Sequence, residues 1–456
     1  MQTNSKSMKK TTFYFVFVLL MFSQIGISQV AEDPEIKKMI SEVKAESLEA
    51  TVRKLVTFGT RHTLSDTKSK TKGIGAAQQW VKSEFDKYAL ESGGRLTSTI
   101  DYFTVKADGK RIKVDSQLGN VMATLKGTDP NDNRVLIISG HLDSRVSDVM
   151  NVKSDAPGAN DDGSGVAAVM ELAKIMSKRS FSATIIFVAV TGEEQGLYGA
   201  RHLAEFAKEN NWNILAMLNN DMIGNSLSSG TNLRDNTQVR VFSETIPFLE
   251  TEDEAKMRKS TSRDNDSPSR LLARYIKTVT EQYVDQLSVK LVYRNDRFLR
   301  GGDHTPFSQN GFTAVRFCEM NENFDHQHQD LRTENNTKFG DLPEFMDFDY
   351  LRKNTCANLA VLANLAWSPK APLNVGIEVK NLSNSSTLIW TAPEDKPQFG
   401  YQILMRETSS SHWEKTFFVK DTKAEIPYSK DNYFFTIQTV DALGHSSIPV
   451  FPIPIK

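Results

Sequence analysis

The segment VLIISGHLDSR, residues 135–145, runs from an apolar stretch directly into a histidine and an aspartate. An uninterrupted run of aliphatic, β-forming residues predicts a strand that is buried on both faces. His141 and Asp143 stand two positions apart at its carboxyl end, so their side chains point to the same face. Ligands generally bind at the carboxyl ends of strands in an open α/β sheet. The segment therefore predicts a covered α/β sheet that presents an imidazole and a carboxylate at its edge.

The neighbouring sequence alternates between strand and helix patterns. Segments 119–127, 183–192 and 214–221 are apolar and strand-like, whereas 165–178 and 199–210 carry apolar residues at helical spacing. Apolar strands that alternate with helices are typical of a sheet covered on both faces. The predicted fold class is α/β, with a mixed, mostly parallel sheet and helices on both sides.

The first 28 residues have the pattern of a signal peptide. Lys9 and Lys10 precede the apolar run FYFVFVLLMF (13–22), and the small residues of GIS (26–28) stand before Gln29. The alternative is an uncleaved membrane anchor, but the run is shorter than the roughly 20 residues that span a bilayer. We expect residues 1–28 to be removed on export, giving a secreted or periplasmic protein without a membrane anchor.

The composition changes near Pro369. Short alternating segments recur from there to the end, including STLIWTA (386–392) and NYFFTIQTVD (432–441), and turn residues separate them. This pattern predicts a small all-β sandwich over 369–456 that resembles a fibronectin type III module. Trp390 and Tyr433 are predicted as its core residues. Residues 29–368 then form the α/β domain.

Bulk composition excludes some functions and leaves other questions open. The 55 basic and 56 acidic residues balance, so nothing indicates a nucleic-acid or membrane-surface partner. Only Cys318 and Cys356 are present, which excludes an all-thiolate zinc site, and either a disulfide or two buried thiols fits them. The polar stretch 225–269 fits a solvated insertion or a loop beside a site equally well.

Acidic and imidazole residues follow several of the predicted strands. They lie in PGANDDGSG (157–165), TGEEQGLYGA (191–200), ILAMLNND (214–221) and NENFDHQHQD (321–330). Each motif alone has an ordinary explanation, such as helix capping by Asp161 or Asp162. Adjacent carboxylates at a buried strand end, as at Glu193 and Glu194, are unfavourable unless a cation or a raised pKa relieves them. Imidazole and carboxylate ligands together suit zinc, and additional carboxylates suit a two-metal centre.

These motifs, in this order, resemble the co-catalytic zinc aminopeptidases of metallopeptidase clan MH, family 28, over roughly residues 50 to 367. The resemblance implies a zinc exopeptidase-like fold with two Zn²⁺ per chain. The metal ligands that it implies are His141, Asp161 as the bridge, Glu194, Asp221 and His326. His326 is preferred because its spacing to Asp330 matches that of the family, and His328 is the alternative.

The same resemblance assigns other roles. Glu193 would be the general base and acid, and Asp143 would stand behind His141. In GGDHTPF (301–307), Asp303 and His304 would orient substrate or stabilise charge, although His304 fits an ordinary surface loop equally well.

The implied activity is removal of N-terminal residues from peptides with a free amino terminus, by a water that two zinc ions activate. One alternative is a single-zinc glutaminyl cyclase or another hydrolase of the clan. A non-catalytic binding ectodomain is a further alternative, although no expected ligand is missing. The sequence indicates neither the oligomeric state, nor the preferred N-terminal residue, nor the role of the sandwich.

Overall fold

The computed structural model describes residues 32–380, 382–394 and 399–456. The segment predicted as a signal peptide, residues 1–28, lies outside the described residues. Within the described ranges, no helix is long and apolar enough to cross a membrane.

An eight-stranded mixed sheet forms the centre of the larger domain, in the order β1-β2-β4-β3-β5-β8-β6-β7. Its inner strands β4, β3, β5 and β8 are parallel, whereas β1, β2 and β6 pair antiparallel to their neighbours, except that β6 is parallel to β7. The strands are β1 (Leu96–Val105), β2 (Ser116–Leu125), β3 (Arg134–His141), β4 (Thr184–Val190), β5 (Asn213–Asn220), β6 (Gln238–Phe242), β7 (Ser288–Val292) and β8 (Ala314–Glu319).

Helices cover both faces of this sheet. The helices are α1 (Pro34–Glu42), α2 (Ala45–Val56), α3 (Gly73–Glu91), α4 (Gly163–Met176), α5 (Tyr198–Glu209), α6 (Glu252–Ser260), α7 (Pro268–Tyr283), α8 (His304–Gln309) and α9 (Phe348–Trp367). One apolar core joins the sheet to α1, α2, α3, α4, α7 and α9. A second core packs α5 and α8 against the opposite face, through residues such as Leu203 and Phe307. The predicted α/β class is confirmed.

Two glycines allow β3 and α4 to approach closely at the edge where the motifs meet. A Cβ atom on Gly140 would lie 2.4 Å from the backbone of Gly165, and one on Gly165 would lie 2.6 Å from the carbonyl oxygen of Asn220. Because side chains cannot fit there, the start of α4 lies directly against the ends of β3 and β5.

Residues 225–269 are more ordered than either interpretation of the sequence implied. They contain β6, which pairs with both β8 and β7 inside the sheet, and α6, which begins with a capping box at Thr251. The polar composition therefore marks the connections around these two elements. The pairing of β6 depends on partners more than 40 residues away along the chain, which local composition does not reveal.

Two small sheets form the C-terminal region. Their orders are β15-β12-β11-β17 and β14-β13-β16. The strands are β11 (Leu373–Glu378), β12 (Ser386–Thr391), β13 (Gly400–Glu407), β14 (Lys415–Val419), β15 (Lys423–Ile426), β16 (Tyr433–Val440) and β17 (Ile453–Ile455). Trp390 is buried in the core between the sheets, and Tyr433 is half-buried against it. A short hairpin, β9 (Arg332–Glu334) with β10 (Thr337–Phe339), and the 3-10 turn Pro343–Phe345 complete the fold.

Buried polar contacts attach this C-terminal region to the α/β domain. The Asp266 carboxylate accepts from Arg274 at 2.7 Å and from Arg406 of β13 at 2.8 Å. Tyr275 of α7 donates to the carbonyl oxygen of Ser446 at 2.9 Å. Cys318 and Cys356 are both buried as free thiols, which answers the question of their pairing.

Candidate metal centre

The carboxyl ends of the inner strands bring the predicted residues together. His141 ends β3, Glu193 and Glu194 follow β4, and Asp221 follows β5. Asp161 comes from the loop that leads into α4. Parallel strands place these ends on one edge of the sheet, as the sequence predicted.

Two groups of ligand atoms share Asp161. In the first, Nε2 of His141 lies 3.1 Å from Oδ1 of Asp161 and 3.9 Å from Oδ1 of Asp221. In the second, Nε2 of His328 lies 2.9 Å from Oδ2 of Asp161 and 2.9 Å from Oε1 of Glu194. Within each group the ligand atoms lie within 4.8 Å of one another. Asp161 thus presents one oxygen to each group, which is the arrangement of a bridging carboxylate.

The structure brings His328, and not the preferred His326, to the other predicted ligands. The His326 ring stacks on Phe345 with 3.7 Å between centroids, and it belongs to neither ligand group. His328 has a positive φ of 56°, which turns its ring in a different direction from that of His326. Asp330, whose spacing to His326 was the reason for preferring that histidine, accepts from Ser147 at the surface and belongs to neither ligand group.

The aspartate that supports Asp161 is Asp341, which the sequence reasoning missed. Its carboxylate accepts from the backbone N–H of Asn160 at 2.9 Å and of Asp161 at 2.7 Å. The hairpin β9–β10 separates it from His328 along the chain. Burial raises the pKa of Asp341 to about 7. No local motif marks it, because the hairpin removes any fixed spacing to the histidine.

Asp162 connects the three segments that carry the first group. It caps α4 by accepting from Gly165 N–H at 2.9 Å, and it also accepts from the backbone N–H of His141 at 2.8 Å and of Met222 at 3.2 Å. The capping role that the sequence allowed for this pair of aspartates therefore belongs to Asp162, and Asp161 is free to face the histidines.

Asp143 positions the glutamates more than it contacts the imidazole. Its carboxylate accepts from the backbone N–H of Gly192 at 3.0 Å and of Glu194 at 3.1 Å, and from the Thr63 hydroxyl at 2.6 Å. Its Oδ1 lies 3.7 Å from Nδ1 of His141, whereas its backbone carbonyl oxygen lies 2.9 Å from that nitrogen. The carboxylate is behind His141, as expected, but a carbonyl oxygen fixes the ring.

The two glutamates have different surroundings. Burial raises the pKa of Glu193 well above its ordinary value, and the charges of Glu194 and Asp221 add to this. Glu194 is also buried, which raises its pKa, but His328 outweighs this and lowers it overall. Glu193 lines a cavity of about 320 Å³ that opens onto the centre. A proton-accepting role for Glu193 and an ionised, ligating role for Glu194 fit this difference.

Asp303 and His304 lie beneath the centre, not on a substrate surface. Both side chains are fully buried, and neither lines the cavity. Nε2 of His304 lies 2.7 Å from the carbonyl oxygen of Asn295, which excludes an ordinary surface loop. Burial raises the pKa of Asp303 to about 7. In this geometry neither Asp303 nor His304 reaches the cavity where the predicted substrate contact would be made.

Three further residues contact the centre, and the sequence reasoning missed them. Nε of Arg145 donates to Glu194 at 3.0 Å, and its Nη2 lies 2.7 Å from Nδ1 of His328. Gln327 donates to Asp161 at 3.1 Å, and Arg316 is paired with Asp221 at 2.9 Å. Arg145 stands within the opening motif, whereas the other two carry no local signal.

The donor set suits zinc. Two imidazole nitrogens and three carboxylates, almost all buried, are ligands that zinc accepts. Each group contains three of these ligands, and Asp161 belongs to both groups. In this geometry the two histidines form direct ion pairs with the carboxylates, which raise the pKa of His328 to about 10 despite its burial. Divalent cations would take over that role.

Comparison with known proteins agrees with this centre. Residues 120–342 match the model for Peptidase family M28, a range that contains every residue of the two ligand groups. A probable zinc metalloprotease of Leptosphaeria maculans is 44% identical over 431 residues, which covers 94% of this chain and 99% of the relative. Another, from Pyricularia oryzae, is 43% identical and covers 94% of this chain and 86% of its own length.

A solved structure shares the fold. The LapA aminopeptidase of Legionella pneumophila has a TM-score of 0.50 at 18% identity, covering 80% of this chain and 81% of its own. Fold, site and relatives together define a zinc metallopeptidase, an enzyme that hydrolyses peptides. The chain belongs to peptidase family M28.

Proposed function

We propose that this metallopeptidase is an exported aminopeptidase that uses two zinc ions, with Glu193 as general base and acid. The observation that carries the proposal is the position of Asp161, which faces one imidazole through each of its oxygens. His141 and Asp221 would hold one ion and Glu194 and His328 the other, with Asp161 between them.

When bound, the two ions would polarise the scissile carbonyl and lower the pKa of the attacking water. Glu193 accepts the proton of that water and delivers it to the leaving amine. Its raised pKa suits a group that must both take and return a proton. Asp143 holds the Glu193–Glu194 turn through backbone hydrogen bonds, so it acts as a positioning residue.

A single-zinc glutaminyl cyclase is the second candidate, since it needs only one ligand group. The presence of two complete groups around Asp161 favours the hydrolase. Zinc content separates the candidates, because the aminopeptidase requires two ions per chain and the cyclase one.

The experiment compares Glu193→Gln, Asp161→Ala and the wild-type enzyme on a panel of aminoacyl chromogenic substrates, with zinc content measured in parallel. Glu193→Gln should retain two zinc ions and lose about 10²- to 10⁴-fold in kcat. Asp161→Ala should lose both zinc and activity. Turnover of the Glu193 variant near that of the wild type would refute its assignment as the base, and cleavage only inside blocked peptides would refute the aminopeptidase.

Export is tested separately by the mature N-terminus. We expect a protein recovered outside the producing cell to begin at Gln29. Recovery of the whole chain in the membrane fraction would instead favour the uncleaved anchor.

A further inference from the structure

Four arginines line the cavity above the metal centre, from three separate segments: Arg111, Arg145, Arg297 and Arg300. We call them the arginine rim. Among the described residues that line this cavity, Leu197 is the one aliphatic side chain. Because the cavity wall holds a single aliphatic side chain, a hydrophobic residue of a substrate has few aliphatic partners there, whereas guanidinium groups suit carboxylates.

On the far side of the cavity, the arginines outnumber the carboxylates that pair with them. Glu322 is shared by three arginines: Arg240 at 2.7 Å, Arg297 at 3.2 Å and Arg300 at 3.9 Å. Arg297 also pairs with Asp296, which in turn is paired with the buried Arg316. Arg300 is the most distant from Glu322 and the most exposed of the three. The positive charge of Arg300 is therefore the one that the carboxylates of this cluster do not balance.

Arg111 approaches the cavity from the loop between β1 and β2. It donates to the carbonyl oxygen of Glu194 at 2.5 Å, a contact that orients the guanidinium without neutralising its charge. The loop itself is anchored, because Ile112 is fully buried and its backbone N–H donates to Asp108 at 2.9 Å. Arg111 is therefore held in place before a substrate arrives, which reduces the entropy lost on binding.

The cavity carboxylates do not cancel this positive charge in the proposed enzyme. Asp161, Glu193, Glu194 and Asp221 line the same cavity, and three of them are proposed zinc ligands. Two divalent cations would offset all four, which leaves Arg111 and Arg300, the rim arginines without a close carboxylate in the described structure, as the uncompensated charges at the opening.

We propose that the arginine rim selects peptides that carry a carboxylate close to the scissile bond, with Arg300 and Arg111 as its direct contacts. This inference rests on the proposed function, since it names the substrate class of the same site. The carboxylate can come from an acidic first residue, an acidic second residue or the C-terminus of a dipeptide. These sources share one chemistry, and the test distinguishes them.

The test uses the zinc-loaded enzyme and three matched substrate pairs. The pairs are glutamyl and glutaminyl p-nitroanilide, Leu-Asp amide and Leu-Asn amide, and Leu-Gly with a free or an amidated C-terminus. In at least one pair, the acidic member should have a kcat/KM about tenfold higher, which corresponds to about 1.4 kcal/mol. That pair identifies the source of the carboxylate.

Arg300→Gln and Arg111→Gln should each remove most of this preference, by raising KM for the acidic member much more than KM for the neutral member. Lys110→Gln and Arg294→Gln are matched controls, because these exposed cations are close in sequence to the rim residues and do not line the cavity. They should preserve the preference. The preference should also weaken at high salt, because counterions screen exposed charges.

The outcomes separate the two proposals. Equal cleavage of acidic and neutral members would overturn the arginine rim and leave the aminopeptidase intact. A preference that survives in both rim variants would also overturn it. No cleavage of any member by enzyme that contains zinc would refute the proposed function and, with it, this inference.

Discussion

Asp161 is the residue on which both ligand groups depend. Its two oxygens lie 3.1 Å and 2.9 Å from the nitrogens of two different histidines, and Gln327 donates to the second oxygen at 3.1 Å. Such crowding of buried groups is favourable only if the charges balance. The histidines supply positive charge in this geometry, and they would return to the neutral, metal-ligating form when zinc binds.

The choice between the two histidines gives a direct test at this scale. We expect His328→Ala to lose about one of two zinc ions and to lower kcat/KM by about 100-fold or more, because it removes a metal ligand. His326→Ala should keep both ions, since it removes only a ring stacked on Phe345. Metal analysis of the purified variants, together with initial rates, measures both effects. Loss of zinc from the His326 variant alone would contradict the geometry.

At the scale of helices and strands, the predicted ends of the parallel strands were enough to indicate part of the centre. Residues at the ends of parallel strands must meet at one edge, so His141, Glu194 and Asp221 were placed correctly without coordinates. The loop residues could not be placed this way. His328 depends on a local backbone turn, Asp341 on the length of a hairpin, and Arg300 on the packing of a distant loop. None of these leaves a periodic or spacing signal.

Arg61 shows how the loops at this edge are held. It is fully buried and donates to the carbonyl oxygens of Leu142 at 2.7 Å, of Pro157 at 2.5 Å and of Gly158 at 2.9 Å. One guanidinium thus joins the segment after His141 to the segment before Asp161. The sequence gives no indication of this role.

We expect Arg61→Met to destabilise the protein by about 2–4 kcal/mol, because it leaves several buried carbonyl oxygens without a donor. Zinc affinity should fall as well, since the two loops carry ligands from both groups. Denaturant unfolding measures the first effect and competition with a chelator the second. Arg53→Met is the control, because Arg53 is half-exposed on α2 and pairs only with surface glutamates. A loss as small as in this control would show that Arg61 does not hold the loops.

At the scale of the whole molecule, the C-terminal sandwich is joined to the α/β domain at two places that are far apart along the chain. Asp266 pairs with Arg406 of the sandwich just before α7. His445 contacts the segment before α1, with Nε2 lying 2.8 Å from Asp33, the residue that caps this helix. These buried contacts argue that the sandwich braces the enzyme, and they give the sequence-predicted module a structural role.

The His445 contacts make this bracing dependent on pH. Burial lowers the pKa of His445, but Asp441 at 2.8 Å and Asp33 at 2.8 Å outweigh it and raise the pKa above the ordinary value of 6.5. The uncharged Trp367 packs on the ring, and the Tyr283 hydroxyl accepts from the backbone N–H of Asp33. A group whose pKa is raised by folding binds its proton more tightly in the folded state. Its stabilisation is therefore complete below about pH 6.5 and is lost as the pH rises through the folded pKa.

We expect His445→Ala to lower the free energy of unfolding more at pH 6 than at pH 9. At pH 6 the variant leaves two carboxylates without their cation, whereas at higher pH the wild-type histidine itself loses its charge. Denaturant unfolding of both proteins in metal-free buffer measures the difference without a contribution from zinc binding, which has its own pH dependence. A loss of the same size at both pH values would mean that His445 contributes packing against Trp367 and no ion pair. A larger loss at pH 9 would reverse the sign and contradict the bridge between Asp33 and Asp441.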